Sequence, residues 1–276
     1  MIVTKASSVR SRPLGIFDSG IGGLTVADAI RERMPGEQLV YFGDTAHLPY
    51  GDKSEESIKK WSGGIADCLL SQGCKAIVIA CNSISAVAYA AVKKRVGPDI
   101  PVINVIDPVV GHVCSDKHFK HVGVIGTKAT VRANVYATKL SRKRPDLTVS
   151  SLATPLLAPM IEEGFFNNSI SRTIINDYLS RAKLKKIDSL ILGCTHYPLI
   201  RPEIDAYYKG RIEVFDAAGI VADAVKAVLD AEDLCYAGKR KPQHHFFVSE
   251  YTTAFEKSTR IFFKGKVKLQ QKNLWR

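Results

Sequence analysis

The chain reads as an α/β protein of two similar domains, each a mainly parallel sheet flanked by helices, with the active site in the cleft between them. Three observations carry that expectation. Strand-like and helix-like patterns alternate along most of the 276 residues, the order that builds parallel sheets covered by helices. Short motifs recur at offsets near 110 residues. Two cysteines, Cys81 and Cys194, follow the apolar, β-branched runs Ala76-Ile77-Val78-Ile79-Ala80 and Leu190-Ile191-Leu192 and enter polar turns. Such positions are the C-terminal ends of parallel strands, where open α/β sheets hold their ligands.

Eight strand-like runs are expected: Leu14–Asp18, Leu39–Gly43, Ala76–Cys81, Val102–Ile106, Val122–Gly126, Leu147–Leu152, Ser189–Cys194 and Ile212–Phe215. Helical patterns fall between them at about 22–34, 55–72, 84–96, 129–143, 169–183 and 217–231. Gly63-Gly64 weakens the second of these, since glycine costs about 1 kcal/mol relative to alanine inside a helix. Met1–Arg12 has no apolar segment of the secretory kind and reads as a frayed leader. No run of eighteen apolar residues exists, so no membrane span is expected.

The repeat is loose but in register. Gly15-Ile16-Phe17-Asp18-Ser19 parallels Gly123-Val124-Ile125-Gly126-Thr127, and Leu39–Pro49 parallels Leu147–Pro159, a strand followed by a proline-bearing loop. Ile79-Ala80-Cys81-Asn82-Ser83 parallels Leu192-Gly193-Cys194-Thr195-His196. Two equivalent halves would present equivalent strand ends to the two faces of one ligand.

Composition narrows the class. Hydrophobic residues make up 46% of the chain, enough for a sizeable core. Six cysteines without close spacing fit reduced thiols in a cytoplasmic protein better than a disulfide framework. The net charge of +12 comes from scattered polar faces and chain ends, such as Lys139 to Arg144 and the stretch after Lys257. No zinc-finger spacing, RNP sequence or interleaved aromatic pattern marks a specific nucleic-acid site.

The chemistry gathers at the strand ends. Asp18-Ser19-Gly20-Ile21-Gly22-Gly23 fits two uses equally: an anion-binding turn with Asp18 as an actor, or a strand-to-helix turn capped by the aspartate. It matches neither a P-loop nor a complete dinucleotide fingerprint. In Gly43-Asp44-Thr45-Ala46-His47-Leu48-Pro49-Tyr50-Gly51, Tyr50 is either a buried loop tyrosine or a hydroxyl in a pocket, and Asp44 with His47 reads as a surface pair. Asn82, Ser83, Thr195 and His196 set donors beside the two thiols. Cys68, Cys74, Cys114 and Cys235 lack such company and read as small buried hydrophobes.

Neither metal nor cofactor is demanded. No CxxC occurs, and Cys81, Cys194 and His196 would be an unusual zinc set. A free thiol of pKa about 8.5 is only a few per cent thiolate at pH 7. A helix N-terminus supplies roughly 0.3–1 kcal/mol, less than the 1.36 kcal/mol or so of one pKa unit. The thiols therefore need Asp18, His196 and a bound ammonium to help move their protons.

With these motifs in place, the chain resembles the glutamate racemases of the cofactor-independent aspartate/glutamate racemase superfamily. The resemblance rests on Asp18 to Gly23, Gly43-Asp44 with Pro49-Tyr50-Gly51, Ala80-Cys81-Asn82, Pro155-Leu156 with Pro159 to Gly164, and Gly193 to Pro198. It runs from about residue 14 to residue 220. It implies a first domain of residues 1–100 and 217–276, a second of residues 101–216, and glutamate held between them. Cys81 and Cys194 would then act as a base and acid on opposite faces of the α-carbon, without a cofactor. Asp18, His196 and Glu162 would assist, and Ser19, Tyr50, Gly51, Asn82, Ser83 and Thr195 would hold the charged ends.

The resemblance also implies a bacterial enzyme that supplies D-glutamate for peptidoglycan and works as a homodimer. One departure is visible: Ser83 stands where the family usually has threonine, which keeps the hydroxyl and loses a methyl group. Two other readings keep the same cleft, an aspartate racemase and a catalytically silent amino-acid-binding protein. Two opposed thiols argue against the second, which has no use for them.

Overall fold

The computed structural model describes residues 9–275. Among the described residues ten strands form two sheets, and every strand pair in both is parallel. The strands are β1 Leu14–Asp18, β2 Leu39–Gly43, β3 Ala76–Ile79, β4 Val102–Asn104, β5 His121–Gly126, β6 Thr148–Ala153, β7 Ser189–Gly193, β8 Glu213–Phe215, β9 His245–Val248 and β10 Leu269–Gln271. The first sheet runs β10-β9-β2-β1-β3-β4 and the second β6-β5-β7-β8.

The repeat seen in the sequence is a repeat of topology. Without β9 and β10 the first sheet is β2-β1-β3-β4, the same order as β6-β5-β7-β8. Cys81 follows the third strand of one set and Cys194 the third strand of the other. Central strands β1, β2, β3 and β7 are buried along their whole length, as expected where helices cover both faces of a parallel sheet.

Alternation divides the first sheet between two cores. Leu14 and Ile16 face one apolar cluster, while Phe17 faces a second. The second cluster packs β3 and Phe42 against the helices Glu55–Ser71 and Tyr89–Val96. The first cluster is shared between the sheets: it runs from Leu14, Ile16, Tyr41 and Val78 through Val221, Val225 and Leu229 to Val122, Val124 and Ile191. Helix Ala217–Ala231 supplies the middle of that path, packed against Leu24–Arg33 and Ile106–Ser115.

Several expected boundaries shift for local reasons. Val105 and Ile106 leave the strand, because the Asn104 side-chain oxygen accepts the N–H groups of Ile106 and Asp107, each at 2.9 Å. They open the helix Ile106–Ser115, which the sequence did not predict. Its β4 neighbour pairs with β3, so residues 102–104 belong to the first sheet. The expected helix 129–143 is two, Lys128–Arg132 and Val135–Lys143, broken at Asn134 with φ +53°. The expected helix 84–96 breaks likewise at Ala88, and 169–183 stops at Leu179.

Other segments gain structure. Leu157–Glu162 is a short helix within the expected proline-bearing loop, and Arg201–Tyr208 is a further helix. Gly63-Gly64 does not interrupt Glu55–Ser71, whose Ser54 cap accepts the Ser57 N–H. Of the expected frayed leader, residues 1–8 lie outside the described residues, whereas the Arg10 carbonyl accepts a 2.8 Å bond from the buried Lys75 ammonium. Lys75 is also paired with buried Glu37 at 2.6 Å. Among the described residues no helix is long and apolar enough to cross a membrane.

Asp44 ties the late strands to the loop after β2. Its carboxylate is fully buried and accepts four bonds. Tyr50 Oη donates at 2.5 Å and His47 Nδ1 sits at 2.9 Å on one oxygen, while Ser249 Oγ at 2.7 Å and Trp275 Nε1 at 2.9 Å share the other. It is therefore no surface pair. His47 is stacked on Trp61 with centroids 4.0 Å apart and meets Trp275 edge-on. Replacing Asp44 with alanine strands these donors in an apolar surround, with an expected loss of about 3 kcal/mol in urea unfolding. Trp275→Phe, which removes one bond of the four, should cost about 1 kcal/mol. Equal losses in the two variants would show that Asp44 is not the shared anchor.

Candidate active site

A single cavity draws its walls from the C-terminal ends of both sheets: Ser19 and Gly20 after β1, Leu48–Gly51 after β2, Cys81–Ser83 after β3, Thr127 after β5, Glu162, and Cys194–His196 after β7. Each predicted site residue except Asp18 lines it. Asp18, next to Ser19 in the chain, is buried. Among the cavity's walls there is no lysine or arginine. A charged ligand would be met by hydroxyls, amides and backbone N–H groups.

The first thiol is held by two neighbours. Ser19 Oγ lies 3.4 Å from Cys81 Sγ. Asp18 Oδ2 accepts the N–H groups of Gly20 at 3.2 Å and Gly23 at 3.0 Å, while Oδ1 is buried without a hydrogen-bond partner within the protein. One oxygen of the aspartate caps the turn, and its charge bears on Cys81. Burial, and then the Asp18 charge, push the Cys81 thiol up to about 12 against the partial help of the Ser19 hydroxyl. Burial also raises the Asp18 carboxyl above its ordinary value.

The second thiol belongs to a relay. Cys194 Sγ lies 3.6 Å from His196 Nδ1, and His196 Nε2 lies 2.9 Å from Glu162 Oε1. Burial by itself would depress the imidazole, but the Cys194 sulfur and the Glu162 carboxylate outweigh it and hold His196 well above its ordinary value. Phe262 meets the ring edge-on at 5.2 Å. A Cβ at Gly22 would sit 2.4 Å from His196 Cε1, so only glycine lets the two loops approach this closely. Thr25 Oγ1, which donates to the Thr195 carbonyl at 3.1 Å, joins the same loops.

The remaining predicted residues divide. Ser83 Oγ lies 2.8 Å from Thr127 Oγ1 and 3.4 Å from Thr130 Oγ1. Thr127 and Thr130 were not singled out in the sequence, although Thr127 stands in the repeat where Ser19 stands. Thr195 Oγ1 is 3.5 Å from His196 Nδ1. Tyr50 lines the cavity but its hydroxyl is committed to Asp44, and Gly51 packs against Thr127. Among the described residues no group of three His, Cys, Asp or Glu side chains is placed to hold a metal ion.

A thiol raised to about 12 is almost wholly protonated at pH 8.5. There its thiolate fraction is on the order of 10³-fold below that of an ordinary cysteine. Alkylation of Cys81 by iodoacetamide in the ligand-free protein, followed by mass spectrometry, should be slower by about that factor. Asp18→Asn should speed it. A Cys81 that reacts as fast as free cysteine would contradict the assignment.

Related proteins carry the same organisation. Residues 24–225 match the family model described as Asp/Glu/Hydantoin racemase. The glutamate racemase of Neisseria meningitidis serogroup B is 40% identical over 246 residues, covering 89% of this chain and 90% of the relative. That of Chlorobium phaeobacteroides is 41% identical over 253 residues, covering 92% and 93%. Among solved structures, glutamate racemase from Francisella tularensis in complex with D-glutamate superposes with a TM-score of 0.91 at 37% identity, covering 96% of this chain and 99% of that one. The Thermus thermophilus enzyme in complex with β-chloro-D-alanine gives 0.86 at 34%, covering 96% and 98%. With a matching family model over most of its length and relatives of this similarity over about nine-tenths of it, the chain belongs to the Asp/Glu/Hydantoin racemase family.

Proposed function

We propose that the protein interconverts L- and D-glutamate by proton transfer at the α-carbon, without a cofactor. One observation carries the reading: two buried thiols line one cavity from equivalent strand ends, and each has its own proton partner. Inversion at a single carbon needs an acceptor on one face and a donor on the other. Cys81 takes the α-proton of D-glutamate while Cys194 delivers one from the opposite side, and the roles exchange for L-glutamate. Asp18 serves Cys81, and His196 with Glu162 serves Cys194. The choice of glutamate rests on the relatives, which bear that name at about 40% identity.

Burial cuts both ways in this mechanism. A thiolate whose conjugate acid has a pKa of about 12 is a stronger base than a solvated one, and so better matched to a weakly acidic C–H bond. Forming it at pH 7 in the empty site would cost about 7 kcal/mol. The substrate ammonium, brought into the same desolvated cavity, offsets that cost by opposite charge at short range. The carboxylates go to Ser19, Asn82, Ser83 and Thr195, with Asp18 and His196 at the edges. Tyr50 and Gly51 take part through their backbone, since the tyrosine hydroxyl is already used.

In the same reading one domain takes residues 1–100 with 217–276 and the other 101–216, with the first boundary moved from residue 100 to just after β4, since that strand pairs with β3. The product feeds peptidoglycan synthesis in a bacterial cytoplasm, and the enzyme acts as a homodimer.

Incubation with L-glutamate in D2O, with no added cofactor, should give D-glutamate carrying deuterium at the α-carbon. Absence of both exchange and product would overturn the reading in favour of a silent binding protein, and turnover of aspartate alone would change the substrate. Cys81→Ser and Cys194→Ser should each lower kcat by about 10³-fold with little change in Tm. Full activity in either variant is incompatible with a two-thiol mechanism.

A further inference from the structure

We infer that Tyr136 is a positioning residue that fixes the Asn82 side-chain amide, so that its NH2 group rather than its oxygen is offered to a substrate carboxylate. The inference rests on the racemase reading for the identity of the ligand, but its geometry is independent of it. Tyr136 lies near the start of the helix Val135–Lys143, just past the left-handed break at Asn134. It is buried, and its hydroxyl donates to Asn82 Oδ1 at 2.7 Å. Asn82 follows Cys81 and lines the cavity.

A carboxamide has an accepting end and a donating end. The tyrosine occupies the accepting end. The donating end, Asn82 Nδ2, is buried and has no hydrogen-bond partner within the protein. A buried amide N–H without a partner is costly, and that cost is recovered only when an acceptor arrives. The group left waiting is thus a donor, and it suits a carboxylate rather than an ammonium. Without the tyrosine hydroxyl the amide gains nothing from this orientation and is free to turn its oxygen inward.

The same side chain touches the other thiol's strand. A Cβ placed on Gly193 would come 3.5 Å from Tyr136 Cε2, so the ring lies against the backbone just before Cys194. Tyr136 therefore spans from the end of β7 to the turn after β3, with its ring at one thiol's strand and its hydroxyl at the other's. Burial raises its hydroxyl above the ordinary tyrosine range, and the nearby Cys194 adds to this. It remains a neutral donor throughout the working pH range.

Tyr136→Phe removes only the hydroxyl. KM for L- and D-glutamate should rise by about tenfold each, with kcat changed less than threefold and Tm little affected. Calorimetric Kd for D-glutamate should weaken by the same factor, which keeps the test readable even in a protein that binds without turnover. A wild type that neither binds nor racemises glutamate would defeat the parent reading, whereas an unchanged Kd in Tyr136→Phe would defeat this one alone. In an Asn82→Ala background the tyrosine change should have no further effect on Kd. A second tenfold loss there, or a fall in kcat and Tm with KM unaltered, would assign Tyr136 a purely structural role.

Discussion

The structure depends on one continuous apolar core. Helix Ala217–Ala231 packs against helices from both halves, and the cluster it joins reaches from β1 to β5 and β7 without interruption. Interiors of this density resist deformation. The two sheets are thereby held with their strand ends around one cavity. That arrangement brings Cys81 and Cys194, 113 positions apart in the chain, into one cavity.

Desolvation is the second consequence of the same packing. It raises the Cys81 thiol and the Asp18 carboxyl, and it would depress His196 were the ring not flanked by Cys194 and Glu162. The two thiols are equivalent in topology but not in surroundings. One faces a carboxyl and a serine, the other an imidazole–carboxylate relay. A nearly symmetric backbone thus carries an asymmetric set of polar neighbours around the two thiols.

Much of the fold was legible in the sequence because its signals are local. The apolar runs of β1, β2, β5 and β7, the turns after them and the offset near 110 residues led to the parallel sheets and to both thiols. Elements were missed where local signals conflict or are too short. Val105-Ile106 continues an apolar run, yet the Asn104 side chain turns it into a helix start. β9 and β10 have four and three residues, set in a basic stretch, and exist by pairing with β2 and with each other.

Within the site, the sequence by itself determined the residues that sit at strand ends: Asp18, Ser19, Cys81, Asn82, Ser83, Cys194, Thr195 and His196. Only the tertiary structure decided what each of them faces. The Tyr50 hydroxyl went to Asp44, which also gathers Ser249 and Trp275 from more than 200 residues away. Thr127 joined Ser83, Glu162 reached His196, and Tyr136 took the Asn82 oxygen. The physical reason is one of range. Periodicity and turn chemistry act over a few neighbouring residues, whereas hydrogen bonding and burial act on whatever the packed chain brings within about 3 Å.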